Sequence, residues 1–237
     1  MNNVMKKRIS FMVVVILLLS VIVGIIPAEQ VQAASLSKKE KKYYSKILKD
    51  QQYLEDTEHS IYGNASFLLY DINNDGRKEL IVGGPLGLRC AFFSIIYSYD
   101  GKKFHKTQTI NGEVSAVSKN GIAFTYDDYS HAGMERYQSV TTYKLSSKGK
   151  LTQKLIENWE GRFVGNSDKI KTVKHNYHRT SNNKEAKISR KTYNKEYKKY
   201  KFKTAGQNYS YKENGKTISR KYDIQLHPVS KKISKNM

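Results

Sequence analysis

The chain has 237 residues, of which 42 are Lys or Arg and 21 are Asp or Glu, so its formal net charge at pH 7 is +21. Its single cysteine, Cys90, excludes an intramolecular disulfide and with it the class of small secreted domains held together by disulfides. We expect Cys90 to be a small buried apolar residue. The sequence contains no glycine-rich phosphate loop, G-x-S-x-G elbow, H-E-x-x-H motif or paired-cysteine metal motif.

The first 33 residues have the three parts of a secretory signal peptide. Basic residues at 6–8 precede an apolar run at 9–26, and a small, polar exit follows at 27–34. We predict that residues 1–33 are the signal peptide and that the mature chain starts at Ala34. The apolar run is close to the ~18 residues at which a spanning helix becomes plausible, so an uncleaved membrane anchor is the alternative. Either way, we expect a secreted protein, or one associated with a Gram-positive cell wall.

Helix signals come first in the mature chain. Ser37 and Glu40 form a capping-box pattern, and apolar residues follow at helical spacing, which predicts a helix over 37–56 that covers a sheet. We expect two segments after the leader: a helix plus β-rich calcium-loop domain at 34–165, and a basic segment at 166–237.

From residue 65 onward, short β-rich runs alternate with turn dipeptides. The Asp-Gly and Asn-Gly pairs at 100–101, 111–112 and 120–121 predict hairpins. The predicted fold class is α+β, mainly β, with the N-terminal helix packed on an antiparallel β-meander, because successive hairpins are the simplest connection. Strands are predicted at 66–70, 80–83, 91–99, 104–110, 113–118, 122–126, 137–145 and 151–159.

The basic segment contains one predicted short helix. Ser189 is placed to cap it, and Tyr193, Tyr197 and Tyr200 recur at helical spacing, which predicts a docking face. Residues 166–237 hold 20 basic and 5 acidic residues, against 19 and 15 in residues 34–165. The positive electrostatic potential of this basic segment favours an anionic cell-wall or surface polymer as partner. A Lys-rich surface that only keeps the chain soluble is the alternative, nucleic acid is a minor one because of the leader, and a membrane partner is expected only if the leader stays uncleaved.

A run of oxygen-bearing side chains lies between two apolar, strand-like runs. Asp71, Asn73 and Asp75 alternate up to a glycine, and Glu79 follows. Ca²⁺ takes about six to eight oxygen ligands, and a chain that wraps it needs oxygens at every second residue. The carbonyl of Arg77 falls where a backbone oxygen is donated in such loops. We therefore predict a structural calcium site formed by Asp71, Asn73, Asp75, Arg77 and Glu79, with an unoccupied Asx-type turn as the alternative.

The flanks of this loop distinguish between calcium-loop classes. Its start matches D-x-[DN]-x-[DN]-G, but the twelfth position is Val82 rather than Glu, which argues against an EF-hand. Residues 66–84 resemble the calcium loops of FG-GAP repeats, the β-hairpin units of integrin-type propellers, and similar segments of uncharacterised secreted proteins from Gram-positive bacteria. The resemblance implies a small calcium-binding extracellular β domain, and it names no activity.

The sequence favours a non-enzymatic module, and we predict no catalytic or cofactor-binding residue. The alternative is a secreted hydrolase that acts on an anionic or sugar polymer. A glycosidase needs two carboxyl groups about 5 to 9.5 Å apart, a geometry that sequence does not show. The acids of such an enzyme would come from Asp127, Asp128, Glu135, Glu157 and Glu160.

Overall fold

The structure of the protein is a computed structural model. The predicted signal peptide, Cys90 and the predicted end of the first helix at 51–56 lie outside the described residues. Leu36–Met237 form one compact unit, and the mainly β character predicted from the sequence is confirmed. The structure describes residues 35–50, 65–86, 91–130, 135–164, 170–213 and 216–229.

Two helices and sixteen strands follow one another in these residues. The helices are α1 (Lys38–Leu48) and α2 (Arg190–Lys198), and neither they nor any other described segment is a helix long and apolar enough to cross a membrane. The strands are β1 (Ser66–Tyr70), β2 (Glu79–Leu86), β3 (Ala91–Tyr99), β4 (Phe104–Lys106), β5 (Ile110–Asn111), β6 (Glu113–Ser118), β7 (Gly121–Ser130), β8 (Glu135–Leu145), β9 (Leu151–Phe163), β10 (Ile170–Ser181), β11 (Lys184–Ile188), β12 (Lys203–Gly206), β13 (Tyr209–Glu213), β14 (Lys216–Arg220), β15 (Ile224–Gln225) and β16 (His227–Pro228).

The strands form two large sheets. The first sheet has the order β16-β1-β2-β3-β4, with β5 also paired to β3, and the second has the order β11-β10-β9-β8-β7-β6-β12-β15. Six consecutive strands of the second sheet, β6 to β11, form an antiparallel meander. The pair β12 and β15 is parallel, and β13 with β14 forms a separate hairpin.

Side-chain alternation places the first sheet between α1 and the second sheet. In β2, Leu80 and Val82 pack towards α1, whereas Ile81 between them joins the core shared with the second sheet. Tyr44 and Leu48 of α1 are wholly buried on the outer face of the first sheet. The core between the sheets also contains Leu68, Ile72, Ile96, Ile110, Val114, Val117, Ile122, Phe124, Leu145, Ala205 and Leu226.

Helix α2 covers the other face of the second sheet. Its Tyr193 is buried against Leu155 and Tyr177. Leu155 pairs with Thr142 and Phe124 with the preceding Thr141, so Leu155 and the core residue Phe124 point to opposite faces. The tyrosine stripe of α2 therefore packs within the chain, and the layers are α1, first sheet, second sheet and α2.

The second sheet continues beyond the predicted segment boundary at residue 165. Strand β10 pairs with β9 over most of its length and then turns through Asn182 and Asn183 into β11. Both asparagines have positive φ, +50° and +59°. A type I′ hairpin turn needs that conformation, and asparagine tolerates it. The first strands of the basic segment thus share a sheet with strands of residues 34–165.

Several predicted elements have other bounds in the structure, and the strands predicted at 80–83, 122–126 and 151–159 end later, at Leu86, Ser130 and Phe163. Helix α1 begins after the predicted capping box of Ser37 and Glu40, which is formed, but it ends at Leu48. The strand predicted at 104–110 is two strands, β4 and β5. Between them the Thr107 hydroxyl accepts the Ile96 N–H at 3.0 Å, so a side chain takes the place of a ladder carbonyl.

Two hydrogen bonds from Tyr44 connect α1 to the β1–β2 loop and to β3. Its hydroxyl lies 3.0 Å from the Lys78 carbonyl and 3.3 Å from the Tyr97 carbonyl. Tyr44→Phe keeps the ring and removes this donor, so the free energy of unfolding in urea should fall by about 1 kcal/mol. Tyr43→Phe is the control, because the Tyr43 ring stacks on Phe104 and its hydroxyl has no hydrogen bond among the described residues. Equal losses in the two variants would contradict this role.

Candidate metal centre

The five predicted metal-site residues lie in one hairpin loop. The loop connects β1 to β2, and the antiparallel pair of Tyr70 with Glu79 closes it. Asn74 and Gly76 have φ of +59° and +83°, so the backbone turns back on itself twice within three residues. The φ of Gly76 is one that glycine adopts without strain. The turns direct the side chains of the alternating polar residues towards the loop interior.

Carboxylate oxygens of the loop accept its own N–H groups. Asp71 accepts the N–H of Asp75 on Oδ1 and the N–H of Gly76 on Oδ2, each at 3.2 Å. Asp75 accepts the Arg77 N–H on Oδ1 at 2.9 Å, and the side-chain oxygen of Asn73 accepts the Asp75 N–H at 3.0 Å. These bonds hold the oxygen donors of three side chains on the concave side of the loop.

Glu79 closes the loop from the sheet side and is wholly buried. Its Oε2 accepts the N–H of Ile72 at 2.9 Å, and its Oε1 accepts the amide nitrogen of Asn73 at 3.1 Å. The same nitrogen donates to Oδ2 of Asp75 at 3.0 Å. One amide group therefore lies between two carboxylates, at a point where a cation would interact with both.

The carboxylates of the loop lie close enough to affect one another's ionisation. Burial is the main cause that raises the pKa of Glu79 to about 8; the hydrogen bond from the Ile72 N–H acts in the opposite direction, and the charges of Asp75 and Asp71 act in the same direction as burial. None of the described Lys, Arg or His side chains forms an ion pair with these three carboxylates. The guanidinium of Arg77 lies over the ring of Tyr99, 5.4 Å from its centroid.

The donor set suits a hard cation. Carboxylates, an amide oxygen and the carbonyl of Arg77 are oxygen ligands of the kind that Ca²⁺ takes. In this conformation, no group of three or more His, Cys, Asp or Glu side chains in the described part of the chain is arranged to hold a metal ion. The carboxylates of Asp71, Asp75 and Glu79 are therefore not sufficient by themselves, and the candidate set also needs the amide of Asn73 and a main-chain oxygen.

A residue outside the motif lies near Glu79. Tyr44 of α1 is wholly buried over the start of β2, with its hydroxyl against the carbonyl of Lys78, the residue before Glu79. Sequence analysis placed this helix over a sheet but did not connect it with the loop. The only sequence signal was an aromatic residue on the apolar face of α1.

The five acids of the hydrolase alternative lie on β7, β8 and β9. Three of them form ion pairs: Asp127 with Arg136, Glu135 with Arg162, and Glu157 with His175. Asp128 accepts the Tyr126 hydroxyl at 3.2 Å. Glu160 lines a cavity with Tyr137, Lys174 and His178.

Four cavities of the described surface bear on the hydrolase alternative. Four cavities are each lined by one carboxylate, from Glu196, Asp50, Glu113 or Glu160. A pair of acids in a common cleft, which a glycosidase needs, is therefore not found in these four. The hydrolase alternative stays a prediction, and no observation favours it over a binding module.

Comparison of the chain with protein-family models, with curated proteins and with solved structures found no match. The function proposed below therefore depends on the loop, the charge distribution and the leader sequence.

Proposed function

We propose that the protein is an exported, non-enzymatic β-rich module that a calcium ion stabilises and that an anionic cell-wall or surface polymer retains. The surface charge of β10, β11 and α2 is the observation that supports retention by such a polymer. The twelve Lys and Arg residues between positions 170 and 203 are all exposed, and only two carboxylates, those of Glu185 and Glu196, lie in the same range. Such a surface attracts polyanions.

Calcium has a structural role in this proposal. Asp71, Asn73, Asp75 and Glu79 would hold the ion together with the Arg77 carbonyl, and the ion would supply the positive charge that the buried Glu79 lacks. A ligand that binds only the folded chain adds stability by mass action. The resemblance of the loop to FG-GAP calcium loops and the signal-peptide pattern of residues 1–33 support an extracellular setting, where calcium is abundant.

Retention by charge predicts a salt dependence. The protein should bind sedimented Gram-positive cell walls at low salt and be released between about 0.1 and 1 M NaCl, because the Debye length falls from about 10 Å to about 3 Å. Lys171→Gln/Lys191→Gln/Lys195→Gln removes three exposed cations from β10 and α2. We expect this variant to be released at a clearly lower salt concentration, as measured by a pelleting assay.

A charge-matched variant distinguishes this surface from net charge alone. Lys41→Gln/Lys102→Gln/Lys148→Gln removes three exposed cations from residues 34–165, and its release should stay close to that of the unaltered protein. Truncation at residue 165 is a poor substitute, because it would remove β10 and expose the edge of β9. Identical release of the two triple variants, or retention that is independent of salt, would overturn the proposed function.

A further inference from the structure

The second sheet and α2 enclose a cavity that the calcium loop does not touch. It has a volume of about 500 Å³ and lies where the ends of β8, β9 and β10 pass beneath the C-terminal end of α2. Cavities of about 300 to 1,000 Å³ are the usual size of small-ligand sites. Cationic side chains from four separate elements line this one, namely Lys144, Lys154, Arg179 and Lys199.

Most of that positive charge is unpaired. The only carboxylate in the lining is that of Glu196, whose Oε1 lies 2.9 Å from Nη1 of Arg179. Lys144, Lys154 and Lys199 have no ion-pair partner among the residues that the structure describes. Charge that is concentrated in a concave surface attracts a ligand more strongly than the same charge on an open face, because low-dielectric walls focus the electric field.

The neutral part of the lining adds hydrogen-bond donors. Thr180, Ser181 and Asn120, which carry hydroxyl and amide groups, line the same cavity. Ammonium, guanidinium and hydroxyl groups together are typical of phosphate sites, in which lysine acts as a point charge and arginine as a planar fork. The lining thus favours an anion with several acceptor oxygens.

The aromatic residue of the lining is not available to stack on a nucleobase. One face of Tyr200 stacks on Phe202, with ring centroids 5.0 Å apart and an interplanar angle of 6°. The ring also lies against the backbone at Gly121, where an added Cβ would meet ring carbons at 3.2 and 3.3 Å and the Tyr143 carbonyl oxygen at 2.5 Å. Single-stranded nucleic acid is usually bound by stacking of its bases on free aromatic faces. This cavity offers no such face.

We propose that this cavity binds phosphate groups of a phosphodiester-linked polyol polymer. The inference rests on the proposed function, since it supplies a specific site within the basic surface that retains the protein. The surface charge brings polyanions of any kind to the protein, and the cavity selects those whose charge is carried by phosphate. A polymer with a flexible polyol backbone can place one phosphate in a concave site, whereas the rigid rod of a nucleic-acid duplex presents its phosphates on a convex surface.

The test is isothermal titration calorimetry with two oligomers of equal charge, a synthetic glycerol-phosphate hexamer and hexaglutamate. The unaltered protein should bind the phosphate hexamer about tenfold more tightly than hexaglutamate, a difference that one or two charge-assisted hydrogen bonds produce. Lys144→Gln/Lys199→Gln removes two exposed cavity cations and should abolish that preference. Lys171→Gln/Lys191→Gln, with the same change in net charge, should keep it.

Other outcomes of the titration would contradict the site, the ligand or the proposed function. Equal weakening by the two double variants, with the phosphate preference kept in both, would overturn the cavity as the site and leave the proposed function intact. Tight binding of a single-stranded hexanucleotide, lost in Lys144→Gln/Lys199→Gln, would overturn the polyol polymer as the ligand. Failure of the unaltered protein to bind either hexamer at low salt would contradict the proposed function itself. Melting curves of all variants serve to detect any loss of binding that is caused by unfolding.

Discussion

The free energy of unfolding in calcium-free buffer should fall as the pH rises from about 4.5 to about 8, and Glu79→Gln should remove most of that fall. Burial raises the pKa of Glu79 from 4.5 to about 8 in the folded chain. Between these values the folded chain holds one more proton than the unfolded chain, so raising the pH favours unfolding. The stability contribution is complete below about 4.5 and lost above about 8.

The expected magnitude is on the order of 5 kcal/mol, since the pKa of Glu79 rises from 4.5 to about 8 on folding and each pKa unit corresponds to about 1.4 kcal/mol. Urea denaturation at several pH values from 5 to 9 measures it as the difference between the unaltered protein and Glu79→Gln. The neutral glutamine keeps the volume of the side chain and an oxygen that accepts the N–H of Ile72. At pH 9 without calcium, Glu79→Gln should therefore be the more stable protein.

A second carboxylate serves as the control. Glu160→Gln removes a partly exposed acid from the second sheet, and its pH profile should run parallel to that of the unaltered protein. Parallel profiles for Glu79→Gln and the unaltered protein would contradict the raised pKa of the buried carboxyl group.

The sequence predicts those parts of the fold in which most positions of a strand are apolar or a helix begins with a capping pair. Ile81 and its neighbours Leu80 and Val82 carry the core of the first sheet, and the capping pair of Ser37 and Glu40 marks the start of α1. Strand β10 was missed because it packs on one face only. Tyr177 is its single buried residue. Polar residues occupy most of the other positions, so the sequence does not show the alternation of apolar and polar residues that is typical of a strand.

The candidate site, like the fold, can be predicted from the sequence only in part. The ligand types and their spacing are local, so sequence predicts the set Asp71, Asn73, Asp75 and Glu79. The surroundings of Glu79 are not local, because they include Tyr44, which lies 34 positions before Lys78 in the chain. The basic cavity combines residues from four elements, from Asn120 to Tyr200, and therefore has no linear signature.

Calcium should raise the melting temperature by about 3 to 10 °C at 10 mM and pH 8. With a dissociation constant of about 10⁻⁴ to 10⁻³ M, as in extracellular modules, mass action adds about 1.4 to 2.7 kcal/mol to the folded state. For a chain of this size, each kcal/mol shifts the melting temperature by about 2 to 4 °C. Differential scanning calorimetry with and without a chelator measures the shift.

Asp71→Ala and Asp75→Ala should abolish the calcium-induced shift. Each variant also loses hydrogen bonds to loop N–H groups, so its baseline melting temperature should fall and only the shift reports on the ion. Asp128→Ala, which removes an exposed carboxylate from β7, should keep the full shift. Magnesium should have a smaller effect, because it demands a compact octahedral set and releases its water reluctantly.

The two predictions are coupled through Glu79. Calcium binds the ionised carboxylate, so below pH 8 each ion that binds should displace close to one proton, and the apparent affinity should rise by up to about tenfold per pH unit between pH 6 and 8. Glu79→Gln should lose both the calcium-induced shift and this pH dependence. If melting temperature and heat of mixing do not respond to calcium up to 10 mM at pH 8, the loop is an Asx-type turn that holds a buried, protonated acid. The pH prediction would then stand without the metal.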